Sequence, residues 1–199
     1  MKQKIVRISP EYSDIDDIIH RYHFSEGDRS LIKSLYQKHF SRPQVQIAYD
    51  VNPGIKGIDL DDFAVAIVTL GAEIDEIINS YVAKEQILET YILDAIAVKI
   101  LSRAYTTLVK DVNRFSGKTV SSLEFIGDRF PMELTETVLD YLKPDGVSLK
   151  EGYMLSPLKS VCMILPLKEG GDKAADNVEK ICNTCSKCGN LKCIMRNST

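Results

Sequence analysis

The sequence predicts an α+β fold, a sheet packed with helices, from three observations. Residues 84–112, "KEQILETYILDAIAVKILSRAYTTLVKDV", carry apolar side chains at 87/88, 91/92, 95/96, 100/101, 104/105, 108/109 and 112. That is a 3.6-residue period held over about eight turns, long enough to be the spine on which a sheet packs. Two other stretches, "FAVAIVTLG" (63–71) and "KSVCMILPL" (159–167), are continuous apolar runs of strand length. Finally, strands and helices are interspersed without a regular βα alternation, which argues against a doubly wound parallel sheet.

The elements follow in chain order. "QKIVRIS" (3–9) alternates as an edge strand does. Ser9 and Pro10 then read as a helix N-cap and first helical position, with acidic residues after them and Ile15, Ile18, Ile19 and Tyr22 on one face. A second helix is expected from Asp28 to Phe40, with Leu31, Ile32, Leu35, Tyr36 and Phe40 at helical spacing. "VQIAYDV" (45–51) reads as a strand ended by "NPG". The run 63–71 is a buried strand closed by a glycine, and the long helix follows. "MELTETVLDYL" (132–142) is a shorter amphipathic helix after Pro131, and "GVSL" (146–149) and 159–167 are strands. The polar segment 168–180 reads as a linker. No repeat or low-complexity block interrupts the chain.

At 199 residues the chain suits one core domain, assigned to 1–172, with an appended tail, 173–199. A net charge of −3 gives no basic excess for nucleic acid or an anionic membrane surface. No apolar run approaches the about 18 residues a membrane-spanning helix needs. The N-terminal "MKQKIVRISPEYSD" is too polar for a signal peptide, so the expected compartment is the cytoplasm. Thiols stay reduced there, which makes a disulfide framework the wrong reading of the C-terminus.

That C-terminus is the densest chemical signal. Four of the five cysteines, Cys182, Cys185, Cys188 and Cys193, fall in "CNTCSKCGNLKC" with the spacing C-x2-C-x2-C-x4-C. Consecutive C-x2-C steps resemble the wrapping of an iron–sulfur cluster. A compact four-thiolate zinc site is the alternative, and a tail of metal-free thiols is the bland one. Lys187, Lys192 and Arg196 offset the charge of four thiolates. Cys162, inside an apolar strand, reads as a small core residue. His20 and His23 are three apart on a helix but lack a third ligand, so they read as surface histidines. Asp59, Asp61 and Asp62 lack the glycine and terminal glutamate of a calcium loop and read as a solvated turn. No dinucleotide fingerprint, phosphate-binding loop or nucleophile elbow is present, and no catalytic group is nameable from residue types alone.

The stretch "LKPDGVSLKEGYMLSPLKSVCMILPL" (142–167) resembles the activation domain of cobalamin-dependent methionine synthase, through Gly146, Leu149, Glu151, Tyr153, Pro157, Ser160 and Val161. Upstream, "TLGAEIDEIINSYVAKEQILETYILDAIAVKI" (69–100) is similar to the Leu-Gly turn and long Leu-Asp-Ala helix of short, stand-alone members, some of which also end in a cysteine-rich tail. The resemblance spans roughly residues 60–196. It implies a C-shaped α+β unit around a twisted antiparallel sheet that binds S-adenosylmethionine and presents it to the cobalamin of a partner, the cobalamin-binding module of methionine synthase or another corrinoid protein. The chain would then belong to a methyltransferase system in which the partner carries the cobalamin. Three functional readings stay open. The first is a reactivation module, the second an iron–sulfur redox partner delivering an electron to a corrinoid protein, and the third a zinc-stapled binding module without catalysis. The resemblance places the S-adenosylmethionine site at Gly127, Asp128, Arg129, Glu151 and Ser160. The family's Arg…Pro-Gly-Tyr loop is replaced here by "SSLEFIGDRFPMEL" (121–134), which keeps Pro131 and its helix but not the Pro-Gly-Tyr. Arg129 either takes over carboxylate binding from a shifted position or sits in a surface turn capping the next helix.

Overall fold

A computed structural model describes residues 1–8 and 11–170. Its strands are β1 (Lys2–Arg7), β2 (Gln44–Val51), β3 (Phe63–Thr69), β4 (Thr119–Val120), β5 (Glu124–Phe125), β6 (Ser148–Lys150), β7 (Met154–Ser156) and β8 (Ser160–Lys168). Its α-helices are α1 (Tyr12–Tyr22), α2 (Arg29–His39), α3 (Ala72–Val82), α4 (Ile87–Ser116) and α5 (Leu134–Leu142). The main sheet runs β1-β2-β3-β8-β4, with β5 also paired to β8, and every pairing is antiparallel. β6 and β7 form a separate hairpin. The predicted α+β class is what the chain adopts, with β1 on the edge as expected.

The sheet is buried on both faces, which is why β3 and β8 read as unbroken apolar runs rather than alternating ones. Parity along each strand assigns the face. Ala64, Ala66 and Val68 join Met163 and Leu165 in a core under α4, backed by α1, α2 and α3. Val65, Ile67, Cys162 and Ile164 point the other way, into a second core with Phe130, Leu134, Val138 and Leu142 around α5. The first core pairs small with small. α4 buries Ala95, Ala97 and Ala104, and β3 offers Ala64 and Ala66 to the same cluster. Such residues let a helix lie close on a sheet, and larger ones such as Ile92, Leu93 and Ile96 fill the flanks.

Several boundaries differ from the sequence reading, most of them by one or two residues. α1 begins at Tyr12 with Glu11 at the N-cap, later than Ser9 and Pro10 imply; those two residues lie outside the described ones. α4 begins at Ile87 rather than Lys84, because the chain turns at Glu85, which takes a left-handed φ of 58°. It ends at Gly117, whose φ of 70° suits a glycine cap. Between β3 and that turn lies α3, an element the sequence reading leaves out. Ile74, Ile77, Ile78 and Tyr81 do fall at i, i+3, i+4 and i+7, but the stripe is short and adjoins the stronger one of α4.

α1 and α2 are fastened to α4 by one buried carboxylate. Asp14 is 2% exposed. Its Oδ2 accepts from the Glu11 backbone N–H at 3.0 Å, the Tyr36 hydroxyl at 2.9 Å and Arg103 Nη1 at 2.7 Å. Arg103 also pairs with Glu11, and Lys99 with Asp17. Burial, and then the adjoining Asp14 charge, push the Tyr36 hydroxyl's pKa upward, so it stays a donor at neutral pH. Removing one partner of a buried charge pair leaves the other unpaired. Asp14→Ala is therefore expected to lower unfolding free energy by about 3 kcal/mol, read from the urea midpoint. Asp16→Ala, which breaks a solvent-exposed pair with Arg29, should leave the urea midpoint nearly unchanged.

Candidate functional site

The resemblance-derived residues are placed by two strands and the connections that enter them. β5 pairs with β8 through Glu124↔Ile164 and Phe125↔Met163, and the Ile126 N–H continues the ladder to the Cys162 carbonyl at 3.4 Å. The chain then leaves the sheet in a tight turn. The Asp128 N–H donates to the Phe125 carbonyl at 3.3 Å and the Gly127 N–H to the Phe130 carbonyl at 2.9 Å. Continuing the β5–β8 register carries Gly127 and Asp128 to the level of Val161 and Ser160. The loop and the first residue of β8 thus come to the same end of the sheet.

Glycine is required at 127 for two reasons. Its φ is 104°, and a Cβ there would stand 2.6 Å from the Met132 sulfur. Arg129 projects from the turn with its guanidinium carbon 5.3 Å from the centroid of the Phe130 ring. Phe130 is itself anchored in the second core, 7% exposed. An exposed guanidinium stacked on a fixed ring keeps its donor fork available. α5 follows, starting at Leu134 after a turn in which the Leu134 N–H reaches the Pro131 carbonyl at 3.1 Å.

Ser160 is half-buried, and its hydroxyl is engaged. Its Oγ lies 2.7 Å from Thr69 Oγ1, which also accepts the Gly71 N–H at 3.0 Å. Glu151 does not join this group. It occupies the tip of the β6–β7 hairpin beside Gly152 and Tyr153, which have φ of 74° and 61°, and its exposed carboxylate has no protein partner among the described residues. The structure therefore gathers the 127–129 turn and Ser160 at one sheet end and leaves Glu151 on a separate projection.

One carboxylate escaped the sequence reading. Glu124, at the root of the turn, is 5% exposed and accepts from the Ser122 hydroxyl at 2.7 Å. A two-residue strand has no period, so nothing in "SSLEF" marks this glutamate as buried. The other candidates keep their plain readings. His20 and His23 rim a shallow surface with Asp16, Glu26 and Arg29. Arg29 engages both acids, and no cluster of three metal-capable side chains occurs among the described residues. Asp62, in the turn entering β3, accepts from the Asn52 side chain and pairs with Lys118 of the α4–β4 connection. The tail 173–199, with Cys182, Cys185, Cys188 and Cys193, lies outside the described residues. No helix among the described residues is long and apolar enough to cross a membrane.

No protein-family model matches the chain, and no curated protein does. Among solved structures, the crystal structure of the MetH reactivation domain bound to AdoHcy superposes with a TM-score of 0.53. The match covers 86% of this chain and 80% of that one at 10% sequence identity. It shows a shared fold, a helix-packed antiparallel sheet.

Cys162 tests the packing beneath this site. Burial pushes its thiol up to about 12, so almost no thiolate exists at neutral pH. In the folded protein, peptide mass spectrometry after alkylation is expected to find Cys162 unmodified, with labelling only once urea unfolds the chain. Rapid labelling under native conditions would mean that the second core opens.

Proposed function

We propose that this chain is a reactivation module for cobalamin-dependent methionine synthase, holding S-adenosylmethionine for reductive methylation of a partner's cobalamin. The observation that carries this reading is the fold shared with the MetH reactivation domain, a structure that holds AdoHcy. AdoHcy is what S-adenosylmethionine becomes once its methyl group has left. The donor supplies the methyl group and the partner's reduced cobalt accepts it; this chain's residues bind and orient. Arg129 takes the amino-acid carboxylate with its fork, Gly127 allows the positive-φ turn that presents it, and Ser160 borders the site. Asp128 supplies a carboxylate toward the cationic end of the donor, while Glu151, on the separate β6–β7 hairpin, is left out of the ligand set. The partner is the cobalamin-binding module of methionine synthase or another corrinoid protein, docked through a transient contact of modest area.

Calorimetric titration tests the reading. S-adenosylmethionine and AdoHcy are both expected to bind, and Arg129→Ala to weaken them about tenfold or more, the loss of a charge-assisted contact. Arg129→Lys should recover part of that. Absence of heat and of ligand-induced thermal shift with both ligands would overturn it.

The tail spacing favours a second element. Cys182, Cys185, Cys188 and Cys193, at C-x2-C-x2-C-x4-C, suit an iron–sulfur cluster that delivers the reducing electron to the corrinoid partner. Anaerobically purified protein is then expected to be brown, with broad absorbance at roughly 400 nm and about four irons per chain. A colourless protein holding one zinc would instead make the tail a structural staple.

A further inference from the structure

Beyond the 127–129 turn, the same end of the sheet carries a cavity of about 530 Å³. Its walls are Ile5 of β1, the connection from the end of α2 into β2, and the stretch from Thr69 into α3. Two arginines flank it. Arg42 lines the cavity. Arg7 sits opposite the lining residue Gln44 and on the same sheet face as Ile5, two residues along β1. Both are exposed, and neither has a hydrogen-bond or carboxylate partner among the described residues. Arg29, Arg103 and Arg114, by contrast, all rest on carboxylates. One lining guanidinium and a second two residues along β1 from the lining Ile5, neither paired among the described residues, run against a net charge of −3.

The rest of the lining agrees in sign and shape. Lys38 also lines the cavity, its ammonium steadied 3.1 Å from the Tyr81 hydroxyl. α3 enters through Gly71, whose φ is 79° and whose missing Cβ would meet nothing within 4 Å, and no side chain caps the helix. Its first-turn N–H groups are thus not screened by a cap. Glu73 is the one carboxylate among the lining residues, and it is exposed. Ile5, 68% exposed, supplies an apolar wall.

We propose that this cavity binds the phosphate group of a phosphorylated small molecule. Arg7 and Arg42 are the charged forks, Lys38 a third cation, and Ile5 the surface for the organic part. The site adjoins the S-adenosylmethionine site through Thr69, which bonds Ser160, but does not rest on that reading.

The test is a titration of the full chain with inorganic phosphate and with pyrophosphate, at chloride-matched ionic strength, followed by calorimetry and backbone amide NMR. Saturable binding is expected, tighter for pyrophosphate, with the largest amide shifts at Gly71–Ile74. Arg42→Ala and Arg7→Ala should each weaken it about tenfold. Both side chains are exposed, so unchanged melting temperatures will separate lost binding from lost fold. Glu73→Gln, which removes the opposing charge, should tighten binding, and Lys56→Ala, on a distant exposed loop, should leave it unchanged. A titration that does not saturate overturns the proposal. So does one that Lys56→Ala blunts as much as Arg42→Ala, which would report diffuse surface charge, or one that Glu73→Gln weakens.

Discussion

The seating of β8 is the constraint on which the rest of the structure depends. It is the last described strand in sequence, yet it lies inside the sheet, with β3 along one edge and β4 and β5 along the other. Its alternate residues serve both cores, Met163 and Leu165 beneath α4, Cys162 and Ile164 beneath α5. A one-residue slip would send each set to the wrong face. β4 and β5 are two-residue strands that pair with β8 and hold no sheet position without it. The turn at Gly127, the stacking of Arg129 on Phe130 and the placement of Ser160 beside Thr69 all follow from that one insertion. Local helices can form early, but the candidate site requires contacts between distant parts of the chain.

The electrostatics divide the molecule in a complementary way. On the α4 side, charge is spent on cohesion: Asp14 draws α1, α2 and α4 together, with Arg103, Lys99 and Tyr36 around it. Such a node adds directional constraint that apolar packing lacks, since it is satisfied in only one arrangement of the three helices. At the far end of the sheet, Arg129, Arg7 and Arg42 bear exposed charge without carboxylate partners among the described residues. Charges left out of internal pairs remain available to ligands. The molecule thus has a closed charge network on one side and open charges on the other.

Much of the frame was legible in the residues. The stripe of α4 and the runs of β3 and β8 are long, and each satisfies a single period or none, so neither type nor position was in doubt. β2 and α5 were bounded by "NPG" and Pro131, whose backbone limits speak for themselves. What was not legible is short or non-local. β4, β5 and β7 are too brief to have a period, and α3 was masked by the stronger helix beside it. Of the candidate site, the 127–129 turn, Glu151 and Ser160 came from resemblance and not from any property of residue type. The burial of Glu124 depends on strands far away in sequence. The cavity near Arg42 is assembled from β1, β2 and α3, and no local pattern announces a concavity. The cysteine cluster is the reverse case, plain in sequence and outside the described residues.

The fold likeness at 10% identity follows from the same physics. A helix-covered sheet asks each buried position only to be apolar, of suitable volume and on the correct face, and many sequences meet that demand. The loops are under a different rule, because recognition needs a particular functional group at a particular place. Here the frame needs only that pattern, while the turn before α5 makes a narrower demand. Gly127 has a backbone angle and a contact with Met132 that other residues fit poorly, so this turn is specified residue by residue. Arg129 stands on Phe130, a ring anchored in the second core, with its guanidinium exposed at the rim of the sheet. The superposition raises the question of a ligand, and this geometry says where on the chain to look for one.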